Sequence, residues 1–195
     1  MSSLHPQLLI SAYCQGVFPM AHDDGDIYWY DPDPRAILPL NNLHISRSLQ
    51  RTLKKEKFII KRNTAFRTVM EACAESMPGR EKTWINDEIL AAYTELHQLG
   101  FAHSVEVWEE DELVGGLYGV AIRGLFAGES MFSRQTNASK IALVHLVQHL
   151  NTQNFELLDI QFMTEHLSKF GAVEIPAQEY KQRLLLALQV SATFA

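Results

Sequence analysis

Apolar positions recur along this chain in two rhythms, one of period near 3.6 and one of period 2. Between Pro6 and Gly16, the residues Leu8, Leu9, Ala12 and Tyr13 fall on one face of a helix that proline opens and glycine ends. Ser46 caps a predicted helix running to about Lys55, with Leu49 and Leu53 on one face. A strand at Phe58–Arg62, a helix over Ala65–Ala74 and an Asn86-capped helix carrying Ile89, Tyr93 and Leu96 follow, the last ending at Gly100. Three strand-like runs then form a predicted meander: His103–Glu109, Leu113–Ile122 and Leu125–Phe132, parted by an acidic turn and by Arg123-Gly124. Asn137 caps a predicted helix with Leu143, Leu146, Val147 and Leu150 at i, i+3, i+4, i+7. The remainder reads as a buried strand in ELLDIQF, a short helix at His166–Phe170, a strand at VEIP and a closing helix over Gln178–Leu188. Antiparallel strands, a long helix, then a strand and helix make an α+β order, with a mixed sheet flanked by helices.

Residues 17–35 break both rhythms. They are aromatic and rich in Asp, and Pro32 and Pro34 force an extended path into Arg35. This stretch is expected to be a loop joining a small N-terminal domain, residues 1–33, to a main domain over 34–195.

Composition changes the picture in one respect. A 195-residue chain with 47% hydrophobic and 21% charged residues is ordinary for a soluble domain, and a net charge of −6 does not advertise a nucleic-acid binder. Yet Arg47–Arg62 holds seven cations against Glu56, so this window is +6 and the remainder −12. Arg47, Arg51, Lys54 and Lys55 share the helical face opposite Leu49 and Leu53, a basic patch suited to phosphates. Two cysteines, Cys14 and Cys73, exclude a disulfide framework and Cys-rich zinc patterns. With no secretion signal and no apolar run near the ~18 residues of a membrane span, the expected location is the cytoplasm.

Candidate chemistry lies in two blocks. In Leu157–Phe162, Asp159 and Gln161 share one strand face while Leu158 and Ile160 share the other. In Leu117–Lys140, Glu129 stands between Gly128 and Ser130, small neighbours that let a ligand approach. Carboxylates and an amide beside an apolar pocket suit acyl transfer to an amine, which needs alignment, a proton acceptor and support for a tetrahedral oxyanion, but neither cofactor nor metal. Asp159 is the candidate for orienting the amine, Gln161 for bonding the reacting centre, and Glu129 for an α-amino group or a cationic acceptor. His145 and His149 have the spacing of a zinc-protease helix without its glutamate, so no metal site is expected.

Seven blocks, in order, resemble leucyl/phenylalanyl-tRNA–protein transferases: AYCQGVFPM, WYDPDPRAILPL, LHISRSL, TWI, the run from AHSVEVW through ELVGGLYGVA to FAGESMFSRQTNASK, LLDIQF and HLSKFGAVEIP. The resemblance spans roughly Leu8 to Tyr180. It implies a small N-terminal domain followed by a domain like the GCN5-related N-acetyltransferases. It also implies a cytosolic enzyme of the bacterial N-end rule, which moves Leu or Phe from its tRNA to the α-amino group of proteins beginning with Lys or Arg, marking them for proteolysis. By resemblance, Leu117, Phe126, Met131, Leu146 and Leu150 form the aminoacyl pocket, Trp84 and Trp29 stack the terminal adenosine, and the Arg47/Arg51/Lys54/Lys55 face binds tRNA. An apolar pocket discriminates by shape, so tolerance among Leu, Phe and Met is expected, with β-branched side chains excluded sterically. Met20 stands where some members have Trp, Leu146 and Leu150 where some have Phe, and about thirty leading residues of many members have no counterpart. The alternative is an acetyl-CoA-dependent N-acetyltransferase, against which SRQTNASK lacks the glycines that cradle a pyrophosphate. A non-catalytic RNA-binding module is the second rival.

Overall fold

Glycine, β-branched and aromatic residues in alternation drive the centre of the molecule into a seven-stranded sheet. A computed structural model describes residues 4–22, 24–55, 57–75 and 83–194. The elements in chain order are α1 (Pro6–Cys14), β1 (Phe18–Ala21), β2 (Ile27–Tyr30), β3 (Arg35–Ile37), α2 (Arg47–Leu53), β4 (Ile59–Arg62), α3 (Phe66–Ala74) and α4 (Asp87–Gln98). They continue with β5 (Ala102–Glu109), β6 (Glu112–Ile122), β7 (Leu125–Ser133), α5 (Ala138–Thr152), β8 (Leu157–Gln161), α6 (Glu165–Ser168), β9 (Val173–Ile175) and α7 (Ala177–Ala187). The main sheet runs β4-β5-β6-β7-β8-β3-β9, and β1-β2 form a separate hairpin. Pairing is antiparallel except between β7 and β8. The α+β class expected from the sequence is the one observed.

Alternation along the strands separates two main cores. Tyr13, Val69, Met70, Ile89, Tyr93 and Tyr118 pack on the α1/α3/α4 side. Leu117, Phe126, Leu143, Leu146, Val147 and Leu150 pack on the α5 side. A smaller cluster, including Ile37, Leu157, Tyr180 and Leu184, lies under α7. The parallel ladder of β7 and β8 ends at Ala127↔Asp159, although β7 continues to Ser133. Beyond that rung the two strands no longer pair, and a cleft opens between them.

Three expectations need correction. The aromatic stretch before Arg35 is not a plain loop: it holds β1 and β2, and β3 at its end enters the main sheet between β8 and β9. The helix at Ser46 stops at Leu53, so Lys54 and Lys55 lie in the turn beyond it. Asn137 does not cap α5 through its side chain. It adopts φ 71°, a left-handed conformation open to Asn, and Ser133 Oγ accepts from Ser139 N–H instead.

Candidate active site

The cleft between the splayed strands encloses about 510 Å³. Its apolar floor comes from β6, β7, α5 and β8: Leu117, Met131, Leu143, Leu146, Leu158 and Ile160. Met20 and Trp84 line it, as do the polar residues Glu129, Ser139, Gln161 and Thr164.

Glu129 reaches the cleft through a β-bulge. Tyr118 pairs with Ser130 and Gly119 with Gly128, so Glu129 has no partner on β6 and its side chain is re-aimed. Gly119 makes this possible, because a Cβ there would lie 2.3 Å from the Ala127 carbonyl oxygen and 2.4 Å from the Phe126 ring. The Glu129 carboxyl is deep in the protein although the residue as a whole retains some exposure. It accepts from Tyr13 Oη–H at 2.6 Å and from Gln161 Nε2–H at 3.0 Å, with Tyr93 Oη at 3.5 Å and the two tyrosine hydroxyls bonded to each other. Burial pushes its pKa up to about 7, and the Asp159 carboxylate adds to the rise, while the bonds from Tyr13 and Gln161 and the charge of Arg35 oppose it.

Gln161 faces Glu129 across the cleft because of Asp159. Gln161 holds φ 66°, a strained conformation for a non-glycine residue, and its N–H donates to Asp159 Oδ1 at 2.9 Å. The same carboxylate accepts from Arg35 Nε at 2.9 Å, Arg35 Nη2 at 2.6 Å and Tyr180 Oη–H at 2.7 Å. Arg35 lies over the rings of Phe18 and Tyr180 and donates through Nη1 to the Gly16 carbonyl at 2.8 Å. Both ionic partners are 1% exposed. The expectation that Asp159 points into the cleft beside Gln161 is therefore corrected: its oxygens are consumed by four donors, and it does not line the cavity.

The pocket residues divide. Leu117, Met131 and Leu146 line the cleft, whereas Phe126 and Leu150 do not; both are fully buried on the α5 side, where Phe126 stacks on Phe194 at 5.3 Å. Trp84 lines the cleft, but Trp29 does not: it is 40% exposed and borders a shallow depression against α1. Arg47, Arg51, Lys54 and Lys55 are exposed, and none makes a side-chain hydrogen bond or ion pair among the described residues. His149 Nε2–H donates to the Phe194 carbonyl at 2.7 Å.

The sequence reading missed Arg35, Tyr13 and Tyr93. Tyr13 and Tyr93 were read as apolar faces of helices, yet a buried tyrosine needs a partner for its hydroxyl, and that requirement was the available signal. Arg35 gave no local signal, since its partner lies 124 residues away.

Comparison with known proteins decides the family. Residues 37–185 match the family model described as leucyl/phenylalanyl-tRNA protein transferase, and residues 2–33 match that of its N-terminal domain. The chain belongs to the leucyl/phenylalanyl-tRNA–protein transferase family. A relative so named from Herpetosiphon aurantiacus is 58% identical over 192 residues, covering 98% of both chains. Another, from Paramagnetospirillum magneticum, is 54% identical over 196 residues, covering 100% of this chain and 94% of that protein. Leucyl/phenylalanyl-tRNA–protein transferases are aminoacyltransferases, so the chain is an enzyme. Similar solved structures include L-PGS from Bacillus licheniformis, at 15% identity and TM-score 0.47 over 78% of this chain and 51% of that one. An aminoglycoside acetyltransferase from an uncultured soil metagenomic sample matches at 13% identity and TM-score 0.44, over 56% of this chain and 80% of that one. No described helix is long and apolar enough to cross a membrane.

Proposed function

We propose that the cleft receives the aminoacyl ester of Leu-tRNA, also of Phe-tRNA and Met-tRNA, and passes the acyl group to the α-amino group of a protein beginning with Lys or Arg. The observation that carries this reading is an apolar cavity that meets, at its polar side, a carboxyl tuned to about 7 and a fixed carboxamide. The aminoacyl side chain rests on Leu117, Met131, Leu143 and Leu146, and a methyl branch at Cβ is rejected by shape. Trp84 offers a plane for the terminal adenine, and the exposed cations of α2 and the turn after it face the tRNA phosphates.

The acceptor amine must lose a proton to attack. Glu129, half-ionised near pH 7, takes it, and Gln161 Nε2 orients the reacting centre. The amine nitrogen bonds to the ester carbonyl carbon, giving a tetrahedral oxyanion. Collapse then breaks the bond to the ribose oxygen, which takes the proton held by Glu129 and leaves as the free hydroxyl of the tRNA, while the nitrogen gives up its extra proton to the carboxylate so restored. Asp159 is a positioning residue: it fixes the Gln161 backbone and is itself fixed by Arg35. The product, with a new N-terminal Leu or Phe, is marked for degradation in the cytoplasm. Incubation with radiolabelled Leu-tRNA and a Lys-starting peptide tests the reading, which requires label on the peptide and its loss in Glu129→Gln. Label absent from the peptide, or a melting-temperature rise with CoA, would favour the acetyltransferase alternative.

A further inference from the structure

A second cavity, of about 530 Å³, adjoins the cleft and shares a wall with it, the imidazole of His166. His44, Ser46, Leu49, Lys140 and Lys169 form much of the rest. Its one acid, Glu165, is ion-paired with Lys169 at 2.7 Å. Lys140 has no partner among the described residues, and His166 Nε2 is buried without one. The cavity thus holds more donors and more positive charge than the protein answers. Buried polar nitrogens without partners are rare in folded proteins, and they mark places where another molecule completes the bonding.

Electrostatics agrees with geometry. Burial holds the His166 imidazole below its usual range, and Lys140 and Lys169 push it further the same way. The two ammonium groups repel a proton on the imidazole, and Glu165 is already engaged by Lys169. An anion between them would relieve this repulsion and accept from each. The volume has room for more than a bare ion, so a group flanked by ribose fits better than a free phosphate.

The position indicates which anion. α2, whose exposed face carries Arg47 and Arg51, contributes Ser46 and Leu49 to one wall, and the aminoacyl cleft lies behind another. A polyanion resting on α2 with its last residue in the cleft passes through this cavity. We propose that it seats the phosphodiester immediately preceding the esterified nucleoside of aminoacyl-tRNA, with Lys140 and His166 as donors. That the nucleotide belongs to tRNA rests on the function proposed above; selectivity for a charged linkage does not.

The test uses two ligands without any ester: the dinucleotide CpA and its neutral methylphosphonate analogue, titrated against the full chain. The wild type should bind the phosphodiester about tenfold more tightly, the effect of one or two charge-assisted hydrogen bonds. Lys140→Ala and His166→Ala should lose most of that ratio, and Lys140→Arg should keep it. Equal affinity of the wild type for both ligands overturns the proposal, as does a Lys140→Ala variant that weakens both alike. Inorganic phosphate binding as tightly as CpA overturns it too, by showing a site for a free anion. Leucyl transfer measured in parallel separates the two readings. A phosphodiester preference without transfer supports the cavity and sinks the proposed reaction; transfer without the preference does the reverse.

Discussion

Replacing Asp159 by Asn distinguishes a residue that holds the site together from one that moves protons. Asn preserves shape and keeps an oxygen for the Gln161 N–H, but removes the charge facing Arg35 at 2.6 and 2.9 Å in a region 1% exposed. The guanidinium is then left without its counter-charge, and breaking a buried pair this way costs about 3–5 kcal/mol. For a domain of this size each kcal/mol lowers the melting temperature by roughly 2–4 °C, so a drop on the order of 10 °C is expected by calorimetry. Exchanging both partners for apolar residues in Arg35→Met/Asp159→Leu should recover much of that stability, because no charge remains stranded. The double variant should still transfer poorly, because the Gln161 N–H has lost its acceptor. Asp159→Asn, which retains that acceptor, should lose less than about tenfold in kcat, well below the 10²–10⁴ expected for a general base. An unchanged melting temperature combined with a kcat loss beyond a hundredfold would refute this reasoning and return Asp159 to the chemistry.

Other outcomes follow from separate parts of the molecule. Glu106 is fully buried and accepts from Thr64 N–H, Ala65 N–H, Ser104 Oγ–H and Trp108 Nε1–H at the start of α3; Glu106→Ala should destabilise the fold by about 3 kcal/mol in urea titration, with transfer per folded molecule unchanged. Leu146→Ala enlarges the cleft floor, so kcat/KM should shift toward Phe over Leu while stability falls by roughly 2–5 kcal/mol. Reversing Arg47 and Arg51 to Glu should weaken binding of charged tRNA and flatten the log–log salt slope by about 2, and an unchanged slope would place the tRNA elsewhere.

The parts of the fold legible in the sequence were those with long, locally repeated patterns. β5, β6 and β7 are mostly apolar or small-residue runs of eight or more residues bounded by turn signals, and α5 repeats its apolar face for four turns, so pattern alone located them. β1, β2 and β3 are three or four residues long and lie among prolines and aspartates, too short for alternation to register. The Asp-Gly pair at Asp24-Gly25 was a hairpin signal that the prolines obscured. Within the site, the apolar floor followed from strand and helix periodicity, as Leu158 opposite Asp159 illustrates. The ion pair to Arg35 and the bulge at Glu129 depend on which strands lie beside β8 and β7 and in what register. Those are properties of the assembled sheet, and a local pattern does not contain them.

Glu129 ties the energetics to the chemistry. Its folded pKa of about 7 exceeds the ordinary 4.5, so the folded state favours the protonated acid. Its contribution to stability is present in full below pH 4.5 and is lost as the pH rises through 7. Glu129→Gln should accordingly gain stability relative to wild type at pH 8 but not at pH 4. The rate has the opposite sign, because proton acceptance needs the ionised form. The most direct test of the account is the pH dependence of single-turnover leucyl transfer from Leu-tRNA to a Lys-starting peptide held at saturation. The wild-type rate should fall about tenfold per pH unit below 7, and Glu129→Gln should be slow and lack that limb. A Glu129→Gln enzyme that keeps both the limb near pH 7 and the wild-type rate would contradict the assignment.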